Sequence, residues 1–318
     1  MRDKEESRDG LDEELESLMQ KYFSNTVSRL LAYLLLWQRR LFGIAPVTMV
    51  NRPATWDLDK ETISYKGISI SMDEIRHLCH HSTTRTRHLL YKNLMFGIDH
   101  IPRLTPKHLE ENDSERGFGW WFGKHAGNST LLNGHKQVLV EHVARTPELR
   151  DLYIEERANE KGNVRLFWRQ SGIRLYQEFV QEFLRELAVP WHIRSRPPVR
   201  APEFVTPLWR NTEQLRNIQL RFSKVIVHLV EHKMMATTGK NVNNIGFLPD
   251  DLGELLVNYL AYPIGVLESM AWQEDINSSI SLYLWSNADG TRWDPKRFGS
   301  ILKAACRRAG VPEIGTGV

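Results

Sequence analysis

Residues 200–211 read RAPEFVTPLWRN, an arginine-centred stretch in the last third of the chain. Arg200–Leu208 predicts a short helix, and Glu203 follows Arg200 at a spacing that places both on the same helical face. The carboxylate of Glu203 can therefore orient the guanidinium of Arg200. A guanidinium offers a fixed fork of donors to a phosphate and keeps its charge near neutral pH. Arg200 and Glu203 are for this reason the first candidate site residues.

The sequence after this stretch predicts two strands and two amphipathic helices. Ile218–Phe222 and Lys224–Leu229 are apolar and rich in β-branched residues, which is typical of strands in a sheet. A run with leucines at helical spacing follows. Trp293-Asp294-Pro295 then begins a last helix, which Gly310 ends. The back of the chain is thus predicted to be a small sheet packed with helices.

Upstream of the stretch, the sequence predicts helices. Apolar residues recur at helical spacing over residues 136–144, 147–158 and 164–188. Pro190 interrupts the last of these runs and two further prolines follow, so we expect the helix to stop there. This stop is the predicted domain boundary. The predicted division of the chain is 1–50, 51–190 and 191–318.

A short β-hairpin is predicted near residues 62–70. Thr62–Tyr65 and Ile68–Ile70 alternate apolar and polar residues on either side of a two-residue turn. Ser71 is followed three residues later by Glu74, which is the pattern of a capping box at the start of a helix. The hairpin is therefore expected to lead directly into a helix.

The first 50 residues combine an acidic start with one apolar run. Residues 1–20 carry three basic and eight acidic side chains, a charge of 3 − 8 = −5, whereas the whole chain carries +3. The rest is therefore +8, which favours a polyanionic partner. Leu30–Trp37 lies in an amphipathic helix predicted from about Leu11 to Phe42, which packs in a core or docks a partner protein. This run is far shorter than the ~20 residues of a membrane helix, so no membrane contact is predicted.

Composition excludes several classes of protein. With 41% hydrophobic residues, the chain is too apolar for wholesale disorder. Two cysteines, Cys79 and Cys306, predict a reducing compartment and no disulfide framework. The sequence contains no phosphate-loop, dinucleotide-binding or nucleophile-elbow motif. Cys79 lies in a group of histidines that lacks the second ligand pair of a zinc site: His77, His80 and His81. We therefore predict no cofactor and no metal.

The stretch at 200–211 resembles the first arginine box of the tyrosine recombinases. Arg200, Glu203, an apolar residue at +4, Trp at +9 and Asn at +11 carry the likeness. The resemblance implies a short helix followed by a three-stranded sheet, and an arginine that stabilises charge on a scissile phosphodiester. His232-Lys233 resembles the β-hairpin lysine that protonates the leaving oxygen in that family, with Lys240 as the second candidate.

The chain resembles one group of this superfamily in particular, the recombinase-like regions of large fungal proteins of mobile-element origin. Such regions often lie beside zinc-finger or RecQ-type helicase domains. Pro53-Ala54-Thr55-Trp56, Trp168-Arg169 and Arg216-Asn217-Ile218 resemble that group at corresponding places, and the likeness covers about residues 52–318. It implies a mainly α protein with a small β component, made of a helical N-terminal region and an incomplete recombinase-type domain with a small antiparallel sheet.

A tyrosine nucleophile is missing from its expected place. Tyrosine recombinases form a phosphotyrosyl intermediate with a tyrosine that follows a His-x-x-Arg cluster. The last tyrosine here is Tyr283, and the sequence ends near the point where that cluster would begin. We therefore expect a truncated or degenerate protein that does not recombine DNA alone. Arg200, Glu203 and Lys233 are expected to keep remnant roles only.

Weak, backbone-mediated DNA binding in the nucleus is the expected function. Between Arg185 and Lys224, eight basic and three acidic residues give 8 − 3 = +5, which favours phosphate contacts. The DNA-binding candidates are Arg196, Arg210, Arg216 and Lys240. Three alternatives stay open: these arginines form a solvated face and internal ion pairs, the chain is an accessory region of a larger helicase-associated protein, or the Leu30–Trp37 helix makes it a protein–protein interaction module.

Overall fold

A computed structural model describes residues 54–57, 61–65, 67–132, 134–158, 164–195, 199–231, 242–274 and 280–314. The chain divides into two compact units, Met1–Gly67 and Ile68–Val318. Among the described residues, every helix is too short or too polar to span a lipid bilayer. The predicted helix around Leu30–Trp37 lies outside the described residues, as do three candidate site residues: Arg196, Lys233 and Lys240.

Most of the described secondary structure is helical, which confirms the predicted mainly α fold with a small β component. The helices are α1 (Met72–His88), α2 (Ser129–Leu132), α3 (His135–Arg145), α4 (Pro147–Tyr153), α5 (Gln170–Arg194), α6 (Ala201–Phe204), α7 (Asp250–Ala261), α8 (Pro263–Glu274) and α9 (Pro295–Ala309). The strands are β1 (Ala54–Trp56), β2 (Thr62–Tyr65), β3 (Ile68–Ser71), β4 (Ile154–Ala158), β5 (Val164–Trp168), β6 (Ile218–Arg221), β7 (Lys224–Glu231) and β8 (Val242–Phe247). A π-helical turn, Leu89–Leu94, continues α1, and 3₁₀ turns occupy Pro106–His108, Phe122–Lys124 and Ala126–Asn128.

Helix α1 begins where the sequence predicts it. Glu74 N donates to Ser71 Oγ (3.1 Å) and Ser71 N donates to Glu74 Oε2 (2.7 Å), which is the predicted capping box. Both strands of the hairpin predicted near residues 62–70 are present as β2 and β3. Strand β2 pairs antiparallel with β1, which places Ile63 opposite Trp56.

Helix α5 continues through Pro190 to Arg194, so the predicted stop at this proline is wrong. The domain boundary expected near residue 190 falls inside this helix, within the unit Ile68–Val318. A proline inside a helix removes one backbone hydrogen bond and costs about 3 kcal/mol or more. Trp191 is fully buried and packs edge-on against Trp285, with ring centroids 5.2 Å apart. Burial of this size outweighs the local preference of proline for a helix end.

A β-hairpin replaces parts of the helices predicted at 147–158 and 164–188. The short helix α4 is followed by the antiparallel pair β4–β5, and α5 begins only after this pair. Trp168 anchors the hairpin to α8, because its Nε1 donates to Ser269 Oγ (2.9 Å) and its carbonyl oxygen accepts from Gln273 Nε2 (2.8 Å). These partners lie 101 and 105 positions later in the chain, so local periodicity does not report them.

The short helix and the sheet predicted after residue 200 are both present. Helix α6 is followed by the antiparallel sheet β6–β7–β8. Phe222 and Ser223 connect β6 to β7 with φ values of 51° and 58°, the left-handed conformation that the tightest hairpin turns require. Leu248 N, at the start of the connection to α7, donates to Val225 O (2.9 Å). The sheet thus joins the arginine-centred stretch to the helices that follow.

An aromatic cluster forms the core between α5, α6 and α9. Phe204 contacts Phe298 with ring centroids 4.5 Å apart and stacks on Trp285 at 5.1 Å. Trp285 stacks in turn on Trp293 at 5.4 Å. Helix α6 is only one turn long and contacts α9, and Arg200 is the residue that precedes α6.

Helix α9 has the predicted ends and meets two other helices at a buried carboxylate. Asp294 caps its first turn, and Gly310 ends it with a φ of 69°. Glu186 on α5 forms ion pairs with α9 and α1: its Oε1 lies 2.5 Å from Arg308 Nη2 and 3.3 Å from Arg85 Nε. Glu186 is buried, so α1, α5 and α9 are held together by one desolvated charge network.

Candidate nucleic-acid interface

Arg200 and Glu203 lie together at the start of α6, as the sequence predicts. Arg200 Nη2 donates to Glu203 Oε1 (2.6 Å), and the backbone N of Arg200 donates to Glu203 Oε2 (3.1 Å). Both carboxylate oxygens therefore hold the arginine. The Arg200 side chain is 45% exposed and the Glu203 side chain 12%. The guanidinium is thus partly exposed to solvent, while the hydrogen bonds to Glu203 hold it in place.

Arg210 is mostly buried against α8. Its guanidinium forms an ion pair with Glu268 and lies over the Trp209 ring, 3.9 Å from the ring centroid. Only 15% of the side chain is exposed. Because a carboxylate matches its charge and an indole covers one face, Arg210 offers little to a phosphate.

Arg216 lies in the interior, and this burial removes it from the predicted DNA-binding set. It donates to Asn211 Oδ1 (2.9 Å) and Glu111 Oε1 (2.7 Å) and lies 4.2 Å from the centroid of the Trp120 ring. The exposed fractions are 1% for the Arg216 side chain and 4% for the Glu111 side chain. Burial raises the pKa of Glu111, and the charge of Arg216 opposes that shift. Arg216 therefore links a loop to the sheet.

Other cations of the 185–224 segment are paired as well. Three of them have carboxylate partners from outside the segment: Arg194 with Asp251 (2.8 and 3.0 Å), Lys224 with Asp250 (2.6 Å) and Arg221 with Asp113. The net charge of +5 counted along this segment therefore overstates the positive charge around it in the folded chain, because carboxylates from other segments pair with its cations. The contacts agree with the alternative in which the arginines form internal ion pairs.

A set of cations that the sequence prediction missed lies on the outer face of α9. Lys296 and Lys303 are exposed and seven residues apart, which places them on one helical face, and Arg307 follows one turn later. Within the part of the chain that the structure describes, neither lysine side chain has an ion pair or hydrogen bond. Arg307 Nε pairs with Glu313 Oε1 (2.9 Å). The helical spacing of these three residues was the one feature of the sequence that could have predicted this basic face.

Three arginines near the start of α9 also have no carboxylate partner among the described residues: Arg185, Arg292 and Arg297. Arg297 donates instead to amide oxygens, those of Gln181 (3.1 Å from Nη2) and Asn287. Burial and the nearby Arg185 both lower the pKa of Arg297. Arg292 lies over the Tyr283 ring, 5.4 Å from its centroid. Positive charge is thus unmatched around this end of the helix.

The arginine-centred stretch and α9 are adjacent in the fold. Phe204 of α6 packs on Phe298 of α9, and His192 of α5 contacts both rings, with centroid distances of 5.3 and 4.7 Å. Arg200 and the two lysines therefore lie on neighbouring elements, although about 100 residues separate Arg200 from Lys296 and Lys303 in the sequence.

The histidine group lies on α1. His77 and His80 are exposed, and His77 and His81 face each other with ring centroids 6.3 Å apart. Burial raises the pKa of Cys79 to about 11, which keeps its thiol protonated near neutral pH. Among the described residues, no group of three or more histidine, cysteine or carboxylate side chains could hold a metal ion.

Several tyrosines belong to the core. Burial raises the pKa of Tyr153 and of Tyr262 to about 12. The hydroxyl of Tyr262 donates to Pro102 O (2.9 Å), and that of Tyr176 donates to Leu94 O (2.9 Å). These hydroxyl groups therefore stay protonated and donate hydrogen bonds to the backbone. They have a structural role, and the candidate site consists of arginine and lysine side chains.

Comparison of the chain with protein-family models, with curated proteins and with solved structures finds no match. The likeness to the tyrosine recombinases therefore rests on the motif residues alone and stays an expectation. The geometry itself offers a half-exposed arginine held by a glutamate, and an adjacent helix with an exposed basic face.

Proposed function

We propose that this chain is a recombinase-like protein that binds the DNA backbone weakly and without catalysis, through Arg200 and the outer face of α9. The observation that carries the proposal is the pair Lys296 and Lys303. Both are exposed on one face of α9, and within the described residues neither has an ion pair. Phosphates suit such cations because each contact releases condensed counterions from the DNA. A DNA partner makes the nucleus the expected location.

Arg200 is proposed to support this binding rather than to dominate it. Among the described residues, only its Nη2 has a side-chain hydrogen bond, so Nε and Nη1 are available to phosphate oxygens. The carboxylate of Glu203 lies against the same guanidinium and repels a phosphate. In the recombinase-like interpretation, Arg200 and Glu203 therefore keep a remnant role in orienting the backbone.

The binding is expected to be weak because the face is only sparsely basic. Arg307 shares its charge with Glu313, and Asp294 caps the first turn of the same helix. Non-specific DNA binding of this kind has dissociation constants of about 10⁻⁴–10⁻⁶ M at physiological salt. We expect no preference between duplex sequences, because phosphate contacts carry no base readout.

Salt-titrated fluorescence anisotropy with random-sequence duplex DNA tests the proposal. The double variant Lys296→Ala/Lys303→Ala should bind more weakly, and the slope of log K against log salt should shrink by about 2, one for each lost phosphate contact. The matched control is Lys107→Ala/Arg165→Ala, which removes two exposed cations elsewhere. Their elements pack against α7 and α8, so this control should keep the wild-type slope.

Two results would overturn the proposal. One is the absence of salt-dependent DNA binding by the wild-type chain. The other is an equal loss of slope in the lysine variant and in the control, which would show that only net charge matters. Arg200→Ala should give a smaller decrease than the double lysine variant, and circular dichroism should show the same helix content for all variants.

A further inference from the structure

A cavity of about 240 Å³ lies between α5, α7, α8 and the loop that precedes α9. The apolar part of its wall includes Val180, Trp209, Leu267 and Met270. A mainly apolar wall with a few placed polar groups is the common form of a small-molecule site. The polar groups of the wall therefore decide which kind of molecule suits the cavity.

Tyr259 of α7 lines the cavity with a phenol that has no partner in the protein. Only 4% of this residue is exposed, and its ring stacks on Phe183 with ring centroids 4.6 Å apart. Its hydroxyl makes no hydrogen bond within the described part of the chain. The hydroxyl oxygen is not fully enclosed either. Because the rest of the side chain is buried, the cavity is the open space that this hydroxyl meets.

Two other buried tyrosines show the usual arrangement. The hydroxyl of Tyr262 donates to Pro102 O and that of Tyr176 to Leu94 O, each over 2.9 Å. Neither residue lines the cavity. A tyrosine hydroxyl normally has such a partner when it is buried. Burial raises the pKa of Tyr259, so its hydroxyl stays protonated near neutral pH and is available to donate to a ligand.

A second polar group of the wall is the side-chain amide of Gln177 on α5. Gln181 lies one helical turn later and also lines the cavity, but its amide is engaged: Nε2 donates to Ser286 O (2.9 Å) and Oε1 accepts from Arg297 Nη2 (3.1 Å). The amide of Gln177 has no hydrogen bond among the described residues. It therefore offers a second donor to a molecule in the cavity.

The charges around the cavity favour an uncharged ligand. Asp289 is the one ionisable acid or base among the described residues that form the wall, tyrosines aside. Hydrogen bonds from Thr291 hold the pKa of Asp289 below its ordinary value, so it is ionised at neutral pH and repels an anion. Arg297 is held by Gln181 and Asn287 behind the same wall, which disfavours a cation. A charged molecule would thus lose hydration without gaining a free counterion.

We propose that this cavity binds a small uncharged molecule with an apolar ring and a carbonyl oxygen that accepts a hydrogen bond from the hydroxyl of Tyr259. The ring loses apolar surface to side chains such as Leu267 and Met270, which favours binding. A carbonyl oxygen suits the polar wall because the Tyr259 hydroxyl and the Gln177 amide are both donors. This inference does not rest on DNA binding, which is assigned to the lysines on the outer face of α9.

Fluorine NMR titrations on the full chain test the inference with a matched pair of probes. The probes are 5-fluoro-1-indanone and 5-fluoroindane, which share one ring system and differ in the carbonyl oxygen. The ketone should bind saturably to the wild-type chain. Tyr259→Phe should weaken binding of the ketone about tenfold, the size of one hydrogen bond to a buried group. It should not weaken binding of the hydrocarbon, because the ring and its stacking are kept.

Two further variants separate the hydroxyl from the cavity. Tyr262→Phe is the matched control, because it removes a phenol hydroxyl that donates to the backbone. It should keep the affinity for the ketone but lower the urea midpoint, whereas Tyr259→Phe should leave the urea midpoint unchanged. Ala271→Phe fills the cavity and should abolish binding of both probes, with circular dichroism as the check on folding.

Charged probes test the preference for an uncharged molecule. The anion 5-fluoroindane-1-carboxylate and the cation 5-fluoro-1-aminoindane should each bind more weakly than the ketone. Either of them binding as tightly as the ketone would overturn the inference. It is also overturned if the ketone does not bind saturably, or if Tyr259→Phe keeps the wild-type affinity for it.

The lysine variant distinguishes this inference from the proposed function. Lys296→Ala/Lys303→Ala should keep full affinity for the ketone even where DNA binding is lost. An equal loss of ketone affinity in Tyr259→Phe and Tyr262→Phe would overturn the inference, because the hydroxyl that meets the cavity would then have no special role.

Discussion

The segment from Arg194 to Lys224 and the region around α9 are both rich in cations but place them differently. In the segment, arginines pair with carboxylates, and Arg216 is entirely enclosed. Around α9, Lys296 and Lys303 project unpaired among the described residues, and Arg297 binds amide oxygens. The comparison teaches that a charge count along the chain locates cations but does not locate free positive charge.

The difference comes from long-range pairing. The segment between Arg185 and Lys224 counts +5, but five carboxylates from outside it pair with its cations. These partners lie 26 to 108 positions away from the cations they meet. They are Glu111, Asp113, Asp250, Asp251 and Glu268.

Removing a buried partner should have the largest effect. Glu111→Ala leaves Arg216 enclosed without a counterion, so the free energy of unfolding should fall by about 3–5 kcal/mol. Urea denaturation followed by circular dichroism measures this change. Asp250→Ala is the matched control, because its exposed pair with Lys224 should contribute only a small fraction of that loss. Equal losses in both variants would contradict the distinction between enclosed and exposed pairs.

The next largest effect is expected on the free energy of unfolding as the pH changes, through the carboxyl group of Glu186. Burial raises the pKa of Glu186 in the folded chain, against the opposing charges of Arg308 and Arg85. The folded state therefore binds the proton more tightly than the unfolded state. The contribution of Glu186 to the free energy of unfolding is therefore complete below the ordinary pKa of a glutamate. It is lost as the pH rises through the raised pKa of the folded chain.

The Glu186→Gln variant isolates this contribution. Between pH 4 and pH 7, the stability of the wild-type chain relative to Glu186→Gln should decline as the pH rises. Urea midpoints for both proteins across this range measure the difference. A constant difference, or one that grows with pH, would show that ion pairing with Arg308 and Arg85 outweighs burial.

The smallest effect is expected from exposed but paired cations. Arg221→Ala/Lys224→Ala removes as much charge as the α9 double variant, but both side chains already have carboxylate partners. The salt slope of DNA binding should therefore stay near the wild-type value, as measured by anisotropy. If the salt slope decreased as much as in Lys296→Ala/Lys303→Ala, these ion pairs would open to bind phosphates. That result would contradict the distinction between paired and unpaired cations.

The fold was predictable where local signals agree with packing. The capping box at Ser71 and the ends of α9 at Asp294 and Gly310 are local features, and the structure has each of them. Pro190 shows the opposite case, because burial of the neighbouring Trp191 keeps the helix intact. Helix α8 escaped prediction because its apolar residues do not gather on one face, so it has no amphipathic pattern.

The candidate site was predictable only in part. The contact of Arg200 with Glu203 spans three residues, and the sequence places it correctly. The pair of Arg216 with Glu111 spans 105 residues, and nothing near Arg216 in the sequence indicates it. The basic face of α9 was visible as a helical spacing, but which cations are unpaired depends on the tertiary fold.

The proline in α5 has a consequence for local unfolding of the protein. Pro190 has no N–H, so the carbonyl of Glu186, four residues earlier, lacks its helical hydrogen bond. The same residue carries the carboxylate on which α1, α5 and α9 converge. Detachment of α9 would hydrate that carboxylate at the weakest turn of α5. The amides of α9 and of the last turns of α5 should therefore exchange with deuterium as one cooperative unit.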